Sequence, residues 1–120
     1  MPAKHSFKTL ALSSALLGLG GFTSAMASEG YSDGVVRIGV LTDMSGIYTD
    51  LSGEAAVEAV RMAVEDFGGE VDGVPIEVIH GDHRNRADTG ASRAREWYNN
   101  DGVDMINDLS NSGVALAVAA

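Results

Sequence analysis

The chain has 120 residues, and its eight Lys and Arg stand against seventeen Asp and Glu, a net charge of −9 that repels phosphate backbones and argues against nucleic acid as a partner. With 45% hydrophobic residues, two Pro and no Cys, the composition is that of a soluble globular protein and excludes a collagen, a disulfide-stapled miniprotein and a polar disordered tail. The length allows one small domain at most.

Residues 1–27 have the three parts of a secretory signal peptide: a basic start with Lys4, His5 and Lys8, an apolar stretch over 10–22, and a small-residue end at Ser24-Ala25-Met26-Ala27. The apolar run is broken by Gly18, Gly20 and Gly21 and falls short of the roughly 20 residues that span a bilayer. Cleavage after Ala27 removes Lys4 and Lys8 and takes the charge from −9 to −11. No Cys offers a lipid acceptor, so the expectation is a periplasmic product with no membrane anchor after signal cleavage. Small polar residues over 28–34 read as a flexible leader.

The β-branched run over 35–41 predicts a first strand buried on both faces, and Thr42-Asp43-Met44-Ser45-Gly46 a turn at its carboxyl end. Ser52 is placed to cap a helix whose inner face carries Ala56, Val57, Val60, Ala63, Val64 and Phe67, with Gly68 and Gly69 to close it. Gly73-Val74-Pro75 resets the chain and 76–80 predicts a second strand. Asp88 is expected to cap a second helix with Ala91, Ala94, Trp97 and Tyr98 facing inward, ended by Asn100-Asp101-Gly102. A third strand follows over 103–107, then an apolar helix start from Val114. This order predicts an α/β fold, a parallel βαβαβα three-layer sandwich with right-handed crossovers over residues 35–120. The last helix opens without a stop signal, and three strands bury only a marginal core, so the chain reads as a truncated, incomplete lobe of a larger protein.

In parallel sheets ligands gather beyond the carboxyl ends of the strands, here the loops after Leu41, His80 and Asn107. The loop Leu109-Ser110-Asn111-Ser112-Gly113 leads into a helix start whose N–H groups suit a carboxylate or phosphate without Lys or Arg; the alternative is that Ser110 or Ser112 is simply an N-cap. In the first loop Ser45 is a candidate hydrogen-bond donor and Tyr48 an apolar wall, against plain turn chemistry. His80, Asp82 and His83 form a His-x-Asp-His cluster with no fourth ligand and no zinc spacing, and Asp82 reads rather as a brace for the turn to Asn85, with Arg84 and Arg86 solvated or paired to acids. No Gly-x-Ser-x-Gly elbow and no phosphate-binding glycine loop occurs, so neither an enzyme nor a cofactor is expected. A truncated nucleotide-dependent oxidoreductase and an exported metal-binding or hydrolytic domain remain the alternatives.

The segments at 36–46, 63–69, 75–78 and Asp108-Leu109-Ser110-Asn111-Ser112, in this order behind a signal peptide, resemble the amino-terminal lobe of periplasmic substrate-binding proteins of ABC transporters, in the leucine/isoleucine/valine-binding family. The resemblance implies a type I periplasmic binding protein: two α/β lobes that close on a small ligand and dock on the transmembrane subunits of an ABC permease. It implies that the ligand carboxylate sits at Asn111 and Ser112, with Leu109 and Ser110 beside them, and that Ser45, Tyr48 and Leu51 contribute to the cleft. Amino-acid binders often place a hydroxyl residue where Asn111 stands, so the alternative ligand is an aromatic or other small organic acid.

Overall fold

The computed structural model describes residues 33–120, so the signal peptide expected over 1–27 and most of the leader over 28–34 lie outside the described residues. The elements run β1 (Val36–Thr42), α1 (Gly53–Phe67), β2 (Glu70–Val71), β3 (Val74–Asp82), α2 (Ala87–Asn100), β4 (Met105–Asn107) and α3 (Ser112–Ala119). The sheet order is β2-β3-β1-β4. β1 pairs in parallel with β3 along its whole length, from Val36 opposite Ile76 to Thr42 opposite Asp82, and with β4 from Ile38 opposite Met105. The three expected strands and their helices form the α/β layers anticipated above, with β1 in the middle.

Two departures concern the strands. Asp72 and Gly73, both at positive φ (51° and 80°), make a two-residue hairpin turn that joins β2 to β3 as an antiparallel edge, where the sequence suggested only a break. β3 therefore starts at Val74 rather than residue 76 and runs nine residues. β4 is shorter than expected because the Val103 N–H bonds to the Trp97 carbonyl at 3.1 Å, which ties Val103 to the end of α2.

On one face of the sheet Leu41, Ala94, Trp97 and Val103 form the core, with Ile79, Ile106, Leu109 and Val118 packed around it. Gly39 and Gly81 make the slot for the indole: a Cβ at Gly39 would stand 2.6 Å from the Trp97 ring, and one at Gly81 3.0 Å. At the other end of α2, a Cβ at Gly90 would lie 2.5 Å from Val114, so α2 and α3 meet closely there. Tyr98, expected to face inward, is 49% exposed, because one residue further along a helix turns it about 100° away from the position Trp97 fills. On the opposite face α1 buries Val57, while Ile38, Val60, Val64, Phe67, Ile76 and Met105 border an open apolar groove of about 300 Å³.

The helix ends also differ from expectation in their chemistry. Gly68 (φ 109°) closes α1 as anticipated, its N–H bonded to Glu65 O and that of Gly69 to Val64 O. Ser52 occupies the N-cap position but donates its hydroxyl to Tyr48 O (3.2 Å), and the Gly53 N–H at the helix start is taken by Thr42 Oγ1 (2.9 Å), reaching from the end of β1. Arg86, not Asp88, stands at the N-cap of α2, and Asp88 in the first turn pairs with Arg86 at 2.8 Å. At the amino ends of the strands, Arg37 ties Asp33 (2.7 Å) and Glu77 (2.6 Å) to the Asp101 carbonyl (2.7 Å).

Candidate ligand site at the carboxyl ends of the strands

The register that aligns Thr42 with Asp82 brings the three candidate loops to one end of the sheet. The loop after β1 is wound around Asp43, fully buried, whose carboxylate accepts from the N–H groups of Gly46 (2.7 Å) and Tyr48 (3.0 Å). A Cβ at Gly46 would run into that carboxylate, which is why the turn holds glycine. Ser45 is thereby presented at the surface, Tyr48 is half-buried, and Leu51 is 81% exposed.

Asp82, at the end of β3, accepts from Met44 N (3.0 Å), Arg84 N (2.7 Å) and Ser45 Oγ (2.6 Å). Burial pushes its carboxyl up, but the hydrogen bonds from Ser45, Met44 and Arg84, helped by the Arg84 charge, outweigh that and hold it below the usual carboxylate value. The brace expected of Asp82 is present, and so is the pairing of Arg86 with an acid. One expectation changes sign: Ser45 spends its only proton on Asp82, since a carboxylate accepts and does not donate, so toward a ligand Ser45 offers lone pairs rather than the donor read from the sequence.

His83 follows with no exposed surface. Its Nδ1 accepts from Asn85 N (3.0 Å) and its Nε2 lies 3.4 Å from Ser110 Oγ in the loop after β4. Arg84 and Asn85, both in the left-handed region (φ 55° and 54°), turn the chain so that Asn85 Oδ1 accepts from Asn111 Nδ2 at 2.6 Å. Sequence reasoning weighed His83 only in a metal cluster and did not place Asn85 in the site. An Asn three residues beyond a strand end, in a run suited to left-handed turns, was the available signal. Among the described residues no group of three or more His, Cys, Asp and Glu is arranged to hold a metal ion, and His80 instead neighbours Arg61 at 3.4 Å.

In the third loop Asn111, rather than Ser110 or Ser112, is the N-cap of α3, its Oδ1 accepting from Gly113 N (2.7 Å) and Val114 N (3.1 Å). Two of the helix-start N–H groups expected to face a ligand, those of Gly113 and Val114, are thus satisfied within the chain, and the donors left to this corner among the described residues are the Ser112 N–H and hydroxyl, the Ser110 hydroxyl and the second Nδ2 hydrogen of Asn111. Ser112 is exposed, whereas Leu109 packs against the Trp97 core instead of standing clear beside a ligand. Asp108 (φ 65°) buries its Oδ2 with no hydrogen-bond partner among the described residues. Ser45, Ser110 and Asn111 are therefore joined through Asp82, His83 and Asn85 at one end of the sheet, with Tyr48 and Leu51 on the flanking loop.

A doubly covered α/β layer with polar loops gathered at the carboxyl ends of its parallel strands has the architecture in which small-molecule sites commonly form. Residues 35–120 match the family model of the periplasmic binding proteins, and the chain belongs to that family. No significant match was found among curated proteins. Among solved structures, a periplasmic binding protein from Burkholderia mallei is 49% identical, with a TM-score of 0.65, covering 72% of this chain and 24% of its own. A branched chain amino acid ABC transporter periplasmic ligand-binding protein from Burkholderia xenovorans LB400 is 48% identical, with a TM-score of 0.67, covering 69% of this chain and 22% of its own. A solute binding protein of an ABC transporter from Rhodopseudomonas palustris BisB5, in complex with 3,4-dihydroxy benzoic acid, is 26% identical, with a TM-score of 0.65, covering 72% of this chain and 24% of its own. The chain spans about a quarter of the length of these structures. The family is one of transporter solute-binding proteins, and the oxidoreductase alternative has no support among these matches.

Proposed function

We propose that the chain is part of the extracytoplasmic solute receptor of an ABC importer, non-catalytic and without a cofactor, which holds a small carboxylate and passes it to the permease. Residues 1–27 serve as its export signal and place it in the periplasm. The observation that carries the reading is the loop after β4, where the Ser110 hydroxyl and an Asn111 amide hydrogen remain free beside the capped start of α3. Neutral donors at a helix amino end bind an anion without a cationic side chain, which suits a chain of net charge −9. Branched-chain amino acids are the first ligand class, because a relative 48% identical is described as a branched chain amino acid ABC transporter periplasmic ligand-binding protein. An aromatic acid is the second, because a relative holds 3,4-dihydroxy benzoic acid.

The test is a thermal-shift screen of the complete gene product against branched-chain amino acids and benzoic acids. A ligand at about 100 times its Kd should stabilise the protein by about 2.7 kcal/mol and raise Tm accordingly. Asn111→Asp keeps an acceptor for the α3 cap but sets a charge against the carboxylate, so binding should weaken at least about tenfold while the fold persists. Unchanged affinity in calorimetry would take Asn111 out of the site.

A further inference from the structure

Asp82 and His83 are consecutive, yet each reaches a different loop and a different hydroxyl. Ser45 donates to Asp82 over 2.6 Å, which leaves its oxygen an acceptor only. On His83, the Asn85 N–H occupies the Nδ1 lone pair, so the proton of the neutral ring sits on Nε2 and points at Ser110 Oγ. That contact takes a lone pair of Ser110 and leaves its hydroxyl proton to be given away; among the described residues Ser110 Oγ makes no other hydrogen bond.

We propose that Asp82 and His83 are positioning residues that fix opposite hydrogen-bond polarity in Ser45 and Ser110, so that the site selects carboxylic acids that also carry a donor, a hydroxyl or ammonium group, directed at Ser45. The inference rests on the receptor reading above. Ser110 serves the carboxylate end, and Ser45, with the negative Asp82 behind it, repels a second anion and welcomes an O–H or N–H. Once a bound ligand covers Ser45, an acceptor left unmatched discriminates against an analogue that lacks the donor, which is the physical source of the selectivity.

The test uses the complete gene product and two matched pairs of probes measured by calorimetry: L-leucine against 4-methylpentanoate, and 3,4-dihydroxybenzoate against benzoate. In whichever pair binds, the donor-bearing member should be at least about tenfold tighter, and the gap should shrink to within about threefold in Ser45→Ala, an exposed position that the fold tolerates. In protein labelled with 15N-histidine, His83 should show the Nε2–H tautomer, a signature that mere packing would not require. Equal affinity within a pair, a gap that survives Ser45→Ala, or a His83 ring protonated on Nδ1 overturns the inference while leaving the receptor reading in place. If no probe of either pair binds, the receptor reading fails and the inference falls with it.

Discussion

The two faces of the sheet are finished to different degrees. Toward α2 and α3, Trp97 fills a slot cut by Gly39 and Gly81, Gly90 lets α3 approach, and the buried His83 stands where β3 turns toward α2. Toward α1, only Gly53 and Val57 are buried along the helix, Phe67 and Met62 are 67% and 57% exposed, and the groove stays open. The candidate site belongs to the finished face: Leu109 in its third loop packs on the Trp97 core, and α3, which Asn111 caps, is in contact with Gly90 of α2 through Val114. Precision in a binding site requires that its loops stand on packed elements, and here one face supplies that support.

This contrast can be broken most forcefully at Trp97. Trp97→Ala empties the slot and should cost about 3–5 kcal/mol, read from the denaturant midpoint; a loss under about 1 kcal/mol would mean that the two faces are equally loose. Acid should act next, on the loops this face supports. Because the Asp82 carboxyl is held below its usual value in the folded protein, its contribution is fully present above about pH 4 and is lost as pH falls through the folded value. Asp82→Asn should therefore flatten the acid limb of a stability–pH curve, and an unchanged limb would show that the bonds to Ser45, Met44 and Arg84 carry no weight. The smallest effect is expected on the open face, where Phe67→Ser should change stability by no more than about 0.5 kcal/mol. A larger loss in equilibrium unfolding would mean that the groove closes in solution.

The parts readable from sequence were those decided by near neighbours. The span of α1, the left-handed Gly68, the strands around 36–42 and 74–82, and the inward Ala91, Ala94 and Trp97 follow from side-chain spacing and local sterics, whereas Ala63 and Phe67, expected on the inner face of α1, are exposed. Tyr98 was misjudged because an aromatic beside Trp97 raises hydrophobicity without revealing which of the two faces the sheet. β2 was missed because two residues carry no periodicity, and only the pairing of Glu70 with Pro75 makes them a strand. The caps differ for a related reason: Ser52 holds the N-cap position of α1 as expected, but Thr42 from a neighbouring strand reached the helix start first, and Arg86 took the N-cap of α2 and engaged Asp88.

From its residues alone this chain determined an acidic α/β protein with a signal-like start and with candidate loops at the ends of parallel strands, because hydrophobic spacing, glycine placement and charge are properties of short stretches. Tertiary structure alone decided what each polar group in those loops has left to offer. Ser45 became an acceptor through Asp82, 37 positions away, and Ser110 met His83 across 27. A hydroxyl can donate or accept, and which it does depends on the partner that folding brings to it.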